Sequence, residues 1–303
     1  MHKEAELGYT VGVIGLGNMG IGMARNLVKA GFHTVGYDVR KERLDLLRDL
    51  GGTPAGTSAE VGERADTIIV MVFDASQVEE TVLGEAGLIH TVSHGKTIII
   101  SSTIEAEAAK RIAKELEARG INVLDAPVTG GKSGAEEGTL TIMVAGPKAV
   151  LEENSAVFQA IAKKIIHVGE EIGQGQTVKA VLQAVVGATF GAVFEALVLG
   201  AKAGVKGRIL YDVLADSVVG SPLLRNCARL ILDRKFKDTG SHISTMYKDF
   251  GITLSVAREN RVPMFTTAAA FQLFQAGIAM FPDEDNWACV KVLESITGTE
   301  VKW

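Results

Sequence analysis

Cysteine is almost missing from this chain: Cys227 and Cys289 are the only two among 303 residues. With no Cys-x-x-Cys spacing between them, a disulfide framework is excluded and a reducing compartment is expected. Both read as buried apolar filler. An excess of basic charge is also lacking. Lys and Arg number 31 against 36 Asp and Glu, a formal charge of -5, so there is no positive field to hold a phosphate backbone and nucleic acid is excluded as a partner. The first residues, MHKEAELGYT, do not have the basic-then-apolar layout of a secretory signal, and a cytoplasmic location is expected. Metal-ligand spacing is missing too. His90 and His94 lie four apart in IHTVSHG with no carboxylate or cysteine beside them, so no metal is expected. Neither a Gly-x-Ser-x-Gly elbow nor a Walker loop occurs, and none of the six histidines has a catalytic motif around it.

One long apolar run is present. Residues 180–201, AVLQAVVGATFGAVFEALVLGA, have the length of a bilayer span, and Gly187 and Gly191 have the spacing of a membrane helix-pairing motif. Lys179 at its head and Glu195 within it argue against lipid. A helix apolar all round is also what a large soluble protein buries, and burial between domains or subunits is the expectation.

With 47% hydrophobic and 22% charged residues the chain is globular, and its length is enough for two cores. From residue 10 to about 170, short β-branched runs alternate with helical stretches: TVGVIG, NMGIGMARNLVKA, HTVGYD, KERLDLLRDL and DTIIVMVF, then KTIIIS, EAEAAKRIAKELEARG, INVLDAPV, TLTIMVAG, PKAVLEENSAVFQAIA and KKIIHVG. That rhythm predicts a doubly wound, mostly parallel α/β sheet over residues 8–172. Beyond it, strand-like runs cease and apolar helical stretches continue to the end, which predicts an all-helical domain over 173–303, joined through a glycine-bearing hinge, EEIGQGQ at 170–176, and the long buried helix.

After the strand TVGVI come Gly15, Leu16, Gly17, Asn18, Met19 and Gly20, the phrase GLGNMG, opening a helix. Alone, Gly-x-Gly-x-x-Gly is a weak signal. Here it also has an acid, Asp38, at the end of the next strand, 18 residues past Gly20, which completes the context of a Rossmann dinucleotide site. The glycines let the backbone turn tightly against a pyrophosphate whose charge meets the helix N-terminus. A carboxylate at Asp38 can accept from the ribose hydroxyls and repels a 2′-phosphate, so NAD is favoured over NADP. Arg40 is either a phosphate ligand or a member of the solvated first turn of the next helix.

These residues resemble the β-hydroxyacid dehydrogenases, the family of 3-hydroxyisobutyrate dehydrogenase, tartronate semialdehyde reductase and L-threonate dehydrogenase. The resemblance rests on VGVIGLGNMGIGMARNL, SST at 101–103, DAPVTGG with GAEEGTLTIMVAG at 125–146, GQGQTVK at 173–179 and YKDF at 247–250, in that order over nearly the whole chain. It implies that Lys179 is the catalytic acid/base. The chemistry agrees, because an ammonium can stabilise and protonate an oxygen that gains charge as hydride reaches its carbon. It implies further that Thr129, Gly130 and Gly131 hold the substrate carboxylate in a nest of N–H groups. Lys248 reaches back toward substrate and nicotinamide, and Thr103, Val72 and Phe73 border the cofactor. Thr103 has the alternative role of capping the helix that follows. Gln183, one helical turn past Lys179, shares its face and is expected to touch substrate. The usual Lys-x-x-Asn-Asn pattern is changed here to Lys179-Ala180-Val181-Leu182-Gln183, closer to the threonate branch. The partners implied are a small 3-hydroxy acid or sugar acid and a second copy or more of the chain, as homodimer or homotetramer. An imine reductase or a non-catalytic NAD-binding protein are the alternatives. Retention of Lys179 argues against the first, and retention of TGG and Lys248 against the second.

Overall fold

The computed structural model describes residues 9–303; the polar N-terminal stretch and the expected domain start at residue 8 fall outside the described residues. The chain divides between Lys179 and Ala180 into two compact units.

In the first unit, strands β1 (Thr10–Ile14), β2 (His33–Tyr37), β3 (Thr53–Pro54), β4 (Thr67–Val70), β5 (Thr97–Ile100) and β6 (Asn122–Asp125) pair in parallel in the order 3-2-1-4-5-6. Every residue of β1, β4 and β5 is buried, which is why those segments read as β-branched runs interrupted only by Gly12: helices cover both faces of a parallel sheet. The sheet continues through β8 (Leu140–Ala145), antiparallel to β6 and to the short β7 (Val128–Thr129), and ends on β9 (Ala162–Gly169), parallel to β8. One face buries Leu27, Leu140 and Phe158, the other Val61, Ile104 and Leu116.

Helices α1 (Asn18–Lys29), α2 (Lys41–Asp49) and α5 (Ala106–Glu117) lie where periodicity predicts them. The helix expected over PKAVLEENSAVFQAIA is two, α7 (Lys148–Glu153) and α8 (Ser155–Ile161), because buried Asn154 turns its amide to the chain, donating to Val150 O at 2.8 Å and Thr97 Oγ1 at 3.2 Å. The strand expected over DTIIVMVF stops at Val70, leaving Met71–Phe73 as a loop at the sheet's C-terminal edge. Helices α3 (Ser58–Arg64), α4 (Ala75–Leu83) and α6 (Gly131–Glu137) carry no announced period, being two turns or little more.

The second unit is helical. It holds most of α9 (Gln174–Lys202), then α10 (Gly207–Asp216), α11 (Pro222–Leu232), α12 (Ile243–Glu259), α13 (Phe265–Met280) and α14 (Val290–Thr297). Its core stacks Phe190, Phe194, Phe250, Phe274 and Trp287, with the Phe190 and Trp287 rings edge-on at 5.4 Å. By length and composition α9 could cross a membrane. Its membrane-like glycines have a different use: a Cβ on Gly187 would strike the Phe250 ring, and one on Gly191 would touch Ala270. They therefore admit α12 and α13 to close contact within a protein core. Burial of α9 is incomplete in the single chain, where Val178, Val181, Val185 and Leu199 stay exposed. Both cysteines are fully buried, and that burial pushes their thiols up.

Candidate active site

The dinucleotide loop joins β1 to α1. Gly15 has φ +87°, and a Cβ there would meet Met71 O, while a Cβ on Gly20 would collide with Gly15 O. Both positions thus require glycine. Helix α1 begins after Gly17 with no side-chain cap, so the orphan N–H groups of its first turn are not claimed by a side chain and suit an anion. Asn18 is exposed and Gly17 and Met19 are half-buried, whereas Leu16 is buried. The Leu16 N–H is already spent: it donates to Asp38 Oδ2 at 2.8 Å.

Asp38 is buried at the end of β2. Arg40 is the exposed N-cap residue of α2, and its side chain folds back as a fork on Asp38, Nε to Oδ1 at 3.0 Å and Nη2 to Oδ2 at 3.2 Å. Burial opposes ionisation of Asp38, but the bonds from Arg40 and Leu16 and the guanidinium charge outweigh it and hold the carboxyl below the usual range. The carboxylate expected to select the ribose is therefore ionised and paired with a guanidinium.

Ser102 is fully buried and takes Val72 N–H on its Oγ at 2.9 Å, tying the loop after β4 to the loop after β5. Val72 is half-buried, Phe73 exposed, and Thr103 half-buried in the latter loop. Thr103 does not cap α5, which starts three residues later behind Glu105 with no side-chain cap, because Ile104 runs inward to the core first.

Thr129 ends β7, and Gly130 (φ +128°) and Gly131 (φ +62°) make the turn into α6, both exposed. This is a strand-to-helix turn of the kind that points successive N–H groups outward. Lys179 is buried, and its Nζ donates to Val128 O at 2.9 Å, one residue before Thr129. Of the two hinge glycines, only Gly173 (φ +97°) precedes α9; Gly175 lies in its first turn, where a Cβ would press on Asp125 O.

Two residues without an assigned role in the sequence prove central. Asp125, fully buried at the end of β6, accepts from Gly173 N at 2.9 Å, Gln176 N at 3.1 Å and Gln176 Nε2 at 2.8 Å. Gln176 also donates to Ser102 O at 3.0 Å and accepts from Ile104 N at 3.0 Å. One amide thereby ties together the SST loop, the DAPVTGG strand end and the turn of α9 that precedes Lys179. Burial raises the Asp125 carboxyl to about 6 against the pull of its donors. Their only sequence signal was polarity inside otherwise apolar or glycine-rich phrases.

In the second unit Gln183, one turn beyond Lys179 on α9, is buried and gives its Nε2 to Asp249 Oδ2 at 2.6 Å. Lys248 Nζ lies 2.9 Å from Asp249 Oδ1. The YKDF phrase on α12 thus supplies both an ammonium and the carboxylate that holds Gln183.

Residues 10–169 match the family model for the NAD binding domain of 6-phosphogluconate dehydrogenase, and residues 173–293 match that for the NAD-binding of NADP-dependent 3-hydroxyisobutyrate dehydrogenase. L-threonate dehydrogenase of Cupriavidus necator is 36% identical over 287 residues, covering 94% of this chain and 96% of that one. The chain belongs to the β-hydroxyacid dehydrogenases. Among other members of this family, 2-hydroxy-3-oxopropionate reductase of Escherichia coli is 36% identical over 94% of this chain and 97% of its own. A solved 3-hydroxyisobutyrate dehydrogenase from Salmonella typhimurium superposes with a TM-score of 0.88 at 30% identity, over 94% of this chain and 99% of that one. An imine reductase from Pseudomonas sp., at 21% identity and a TM-score of 0.61, shares the fold alone. The family's nicotinamide dinucleotide fits the loop described above: a required-glycine turn, an uncapped helix start and a carboxylate at the end of β2.

Proposed function

We propose that this protein transfers a hydride between NAD and a small hydroxy acid, threonate-like or 3-hydroxyisobutyrate-like, with Lys179 as general acid/base. When bound, the dinucleotide supplies the hydride acceptor in oxidation and the donor in reduction. The observation that carries the reading is the buried Lys179 ammonium, donating to Val128 O beside the Thr129-Gly130-Gly131 turn. Oxygen-bound charge and carboxylate charge are thereby handled by adjacent groups. As the neutral amine, Lys179 Nζ takes the hydroxyl proton in oxidation, and as the ammonium so formed it returns that proton in reduction, while N–H groups of the turn hold the acid's carboxylate. Gln183 orients the substrate chain. Lys248, Thr103, Val72 and Phe73 border substrate and nicotinamide, and Gly15–Gly20 with Asp38 hold the dinucleotide.

The relatives named for L-threonate, 2-hydroxy-3-oxopropionate and 3-hydroxyisobutyrate support the substrate class. Asp38 supports NAD over NADP. Residues 8–172 serve the cofactor and 173–303 the substrate and self-association. The exposed apolar side chains of α9, at i, i+3 and i+7 in Val178, Val181 and Val185, support a homodimer or homotetramer, and the paucity of cysteine supports the cytoplasm. The test is NAD and NADP reduction against threonate, erythronate, glycerate, 3-hydroxyisobutyrate and 4-hydroxybutyrate. A substrate oxidised by the wild type should lose about 1,000-fold in kcat with Lys179→Ala while NAD still binds. Undiminished turnover by that variant rejects the mechanism.

A further inference from the structure

The Gln183 amide meets acceptors on one side only. Its Nε2 lies 2.6 Å from Asp249 Oδ2 and 3.6 Å from Met246 Sδ. Reversing the amide would set its carbonyl oxygen against a carboxylate oxygen, so Asp249 dictates the orientation. Asp249 is itself immobilised: it is buried on α12, with the Lys248 ammonium 2.9 Å from Oδ1, close enough for charge pairing though off the line of a hydrogen bond. Gln183 has spent its donor, and its Oε1 accepts from none of the described residues. Four residues of helix separate Gln183 from Lys179, about 6 Å along the axis and on the same face, the span of a carbon chain beyond a reacting carbinol.

We propose that Asp249 is a positioning residue that fixes Gln183 as an acceptor toward substrate, so that the site selects acids with a second hydroxyl beside the reacting carbinol. This rests on Lys179 being the acid/base. A polyhydroxy acid donates its neighbouring hydroxyl to Oε1. An alkyl group there leaves a desolvated carbonyl unmatched, and sites built to bond a hydroxyl reject analogues lacking it by large factors. The asparagine-to-glutamine change is then a device for reaching a longer, hydroxylated acid, and Asp249 is what gives the longer arm a single polarity.

The experiment compares kcat/KM with NAD for threonate and erythronate against 3-hydroxyisobutyrate and 4-hydroxybutyrate, in the wild type, Asp249→Asn and Gln183→Leu. The wild type should favour the polyhydroxy acids by at least about 100-fold. Asp249→Asn frees the amide to turn and should bring the ratio below about 10-fold, with NAD affinity and unfolding midpoint measured alongside. Gln183→Leu should abolish or invert the preference, and it decides the matter if Asp249→Asn fails to fold. A wild-type ratio near one, or a ratio that survives both substitutions, overturns the proposal while leaving the dehydrogenase reading intact. Failure to oxidise any of the four acids with either cofactor sinks that reading instead.

Discussion

Replacing Asp125 with Asn sets two sizeable effects against each other. In the wild type one carboxylate serves Gly173 N and Gln176 N on Oδ2 and Gln176 Nε2 on Oδ1. Asparagine has one acceptor, which the two backbone donors claim, so its NH₂ faces the Gln176 NH₂. If Gln176 reverses its amide, the clash moves to Ile104 N, which then faces an NH₂, and Ser102 O loses its donor. At least one buried donor goes unmatched, at a cost of about 1–3 kcal/mol. Against this, the neutral amide no longer needs charge in the interior. Burial holds the Asp125 carboxyl at about 6 against an ordinary 3.8, a difference equivalent to about 3 kcal/mol. The sign follows from linkage: with the folded value raised, the folded state binds more protons between about 4 and 6. The wild type therefore loses stability as pH rises through that window, and above 6 carries the full cost of the buried charge. Asn lacks this dependence. Urea unfolding of both proteins should find Asp125→Asn clearly destabilised at pH 4 and close to the wild type at pH 7, the difference narrowing by about 3 kcal/mol. A constant difference would show that the donors match burial, and one that widens toward pH 7 that they outweigh it; either would refute the reasoning.

Arg40→Ala removes the guanidinium fork paired with Asp38; the bare carboxylate should raise the NAD-to-NADP ratio of kcat/KM about 10-fold, and improved use of NADP would contradict it. Gly20→Ala drives a Cβ into the Gly15 carbonyl and must open the loop, so calorimetry should show NAD affinity down at least about 10-fold; unchanged affinity means the loop does not hold the pyrophosphate.

How much was legible in the sequence differs from segment to segment. The strands TVGVI, TIIV and TIII could be read because burial on both faces favours β-branched residues, which fill all but Gly12, and the loop because only glycine tolerates its φ and its close approaches. The break at Asn154 and the end of β4 could not, since each depends on a partner far along the chain: Thr97 for the asparagine amide, and Ser102 for the amide that follows the strand. Family phrases located Thr129, Gly130, Gly131 and Lys179 without showing what holds them.

Sequence by itself determined the layer architecture and the chemistry available, because periodicity, glycine sterics and residue type are local properties. Tertiary structure alone decided that Asp125 and Gln176 brace the turn before Lys179, that Arg40 closes on Asp38, and that Asp249 orients Gln183. Each of those is a hydrogen bond between groups whose proximity exists only once the strands and helices have packed, and whose strength depends on the burial that packing creates.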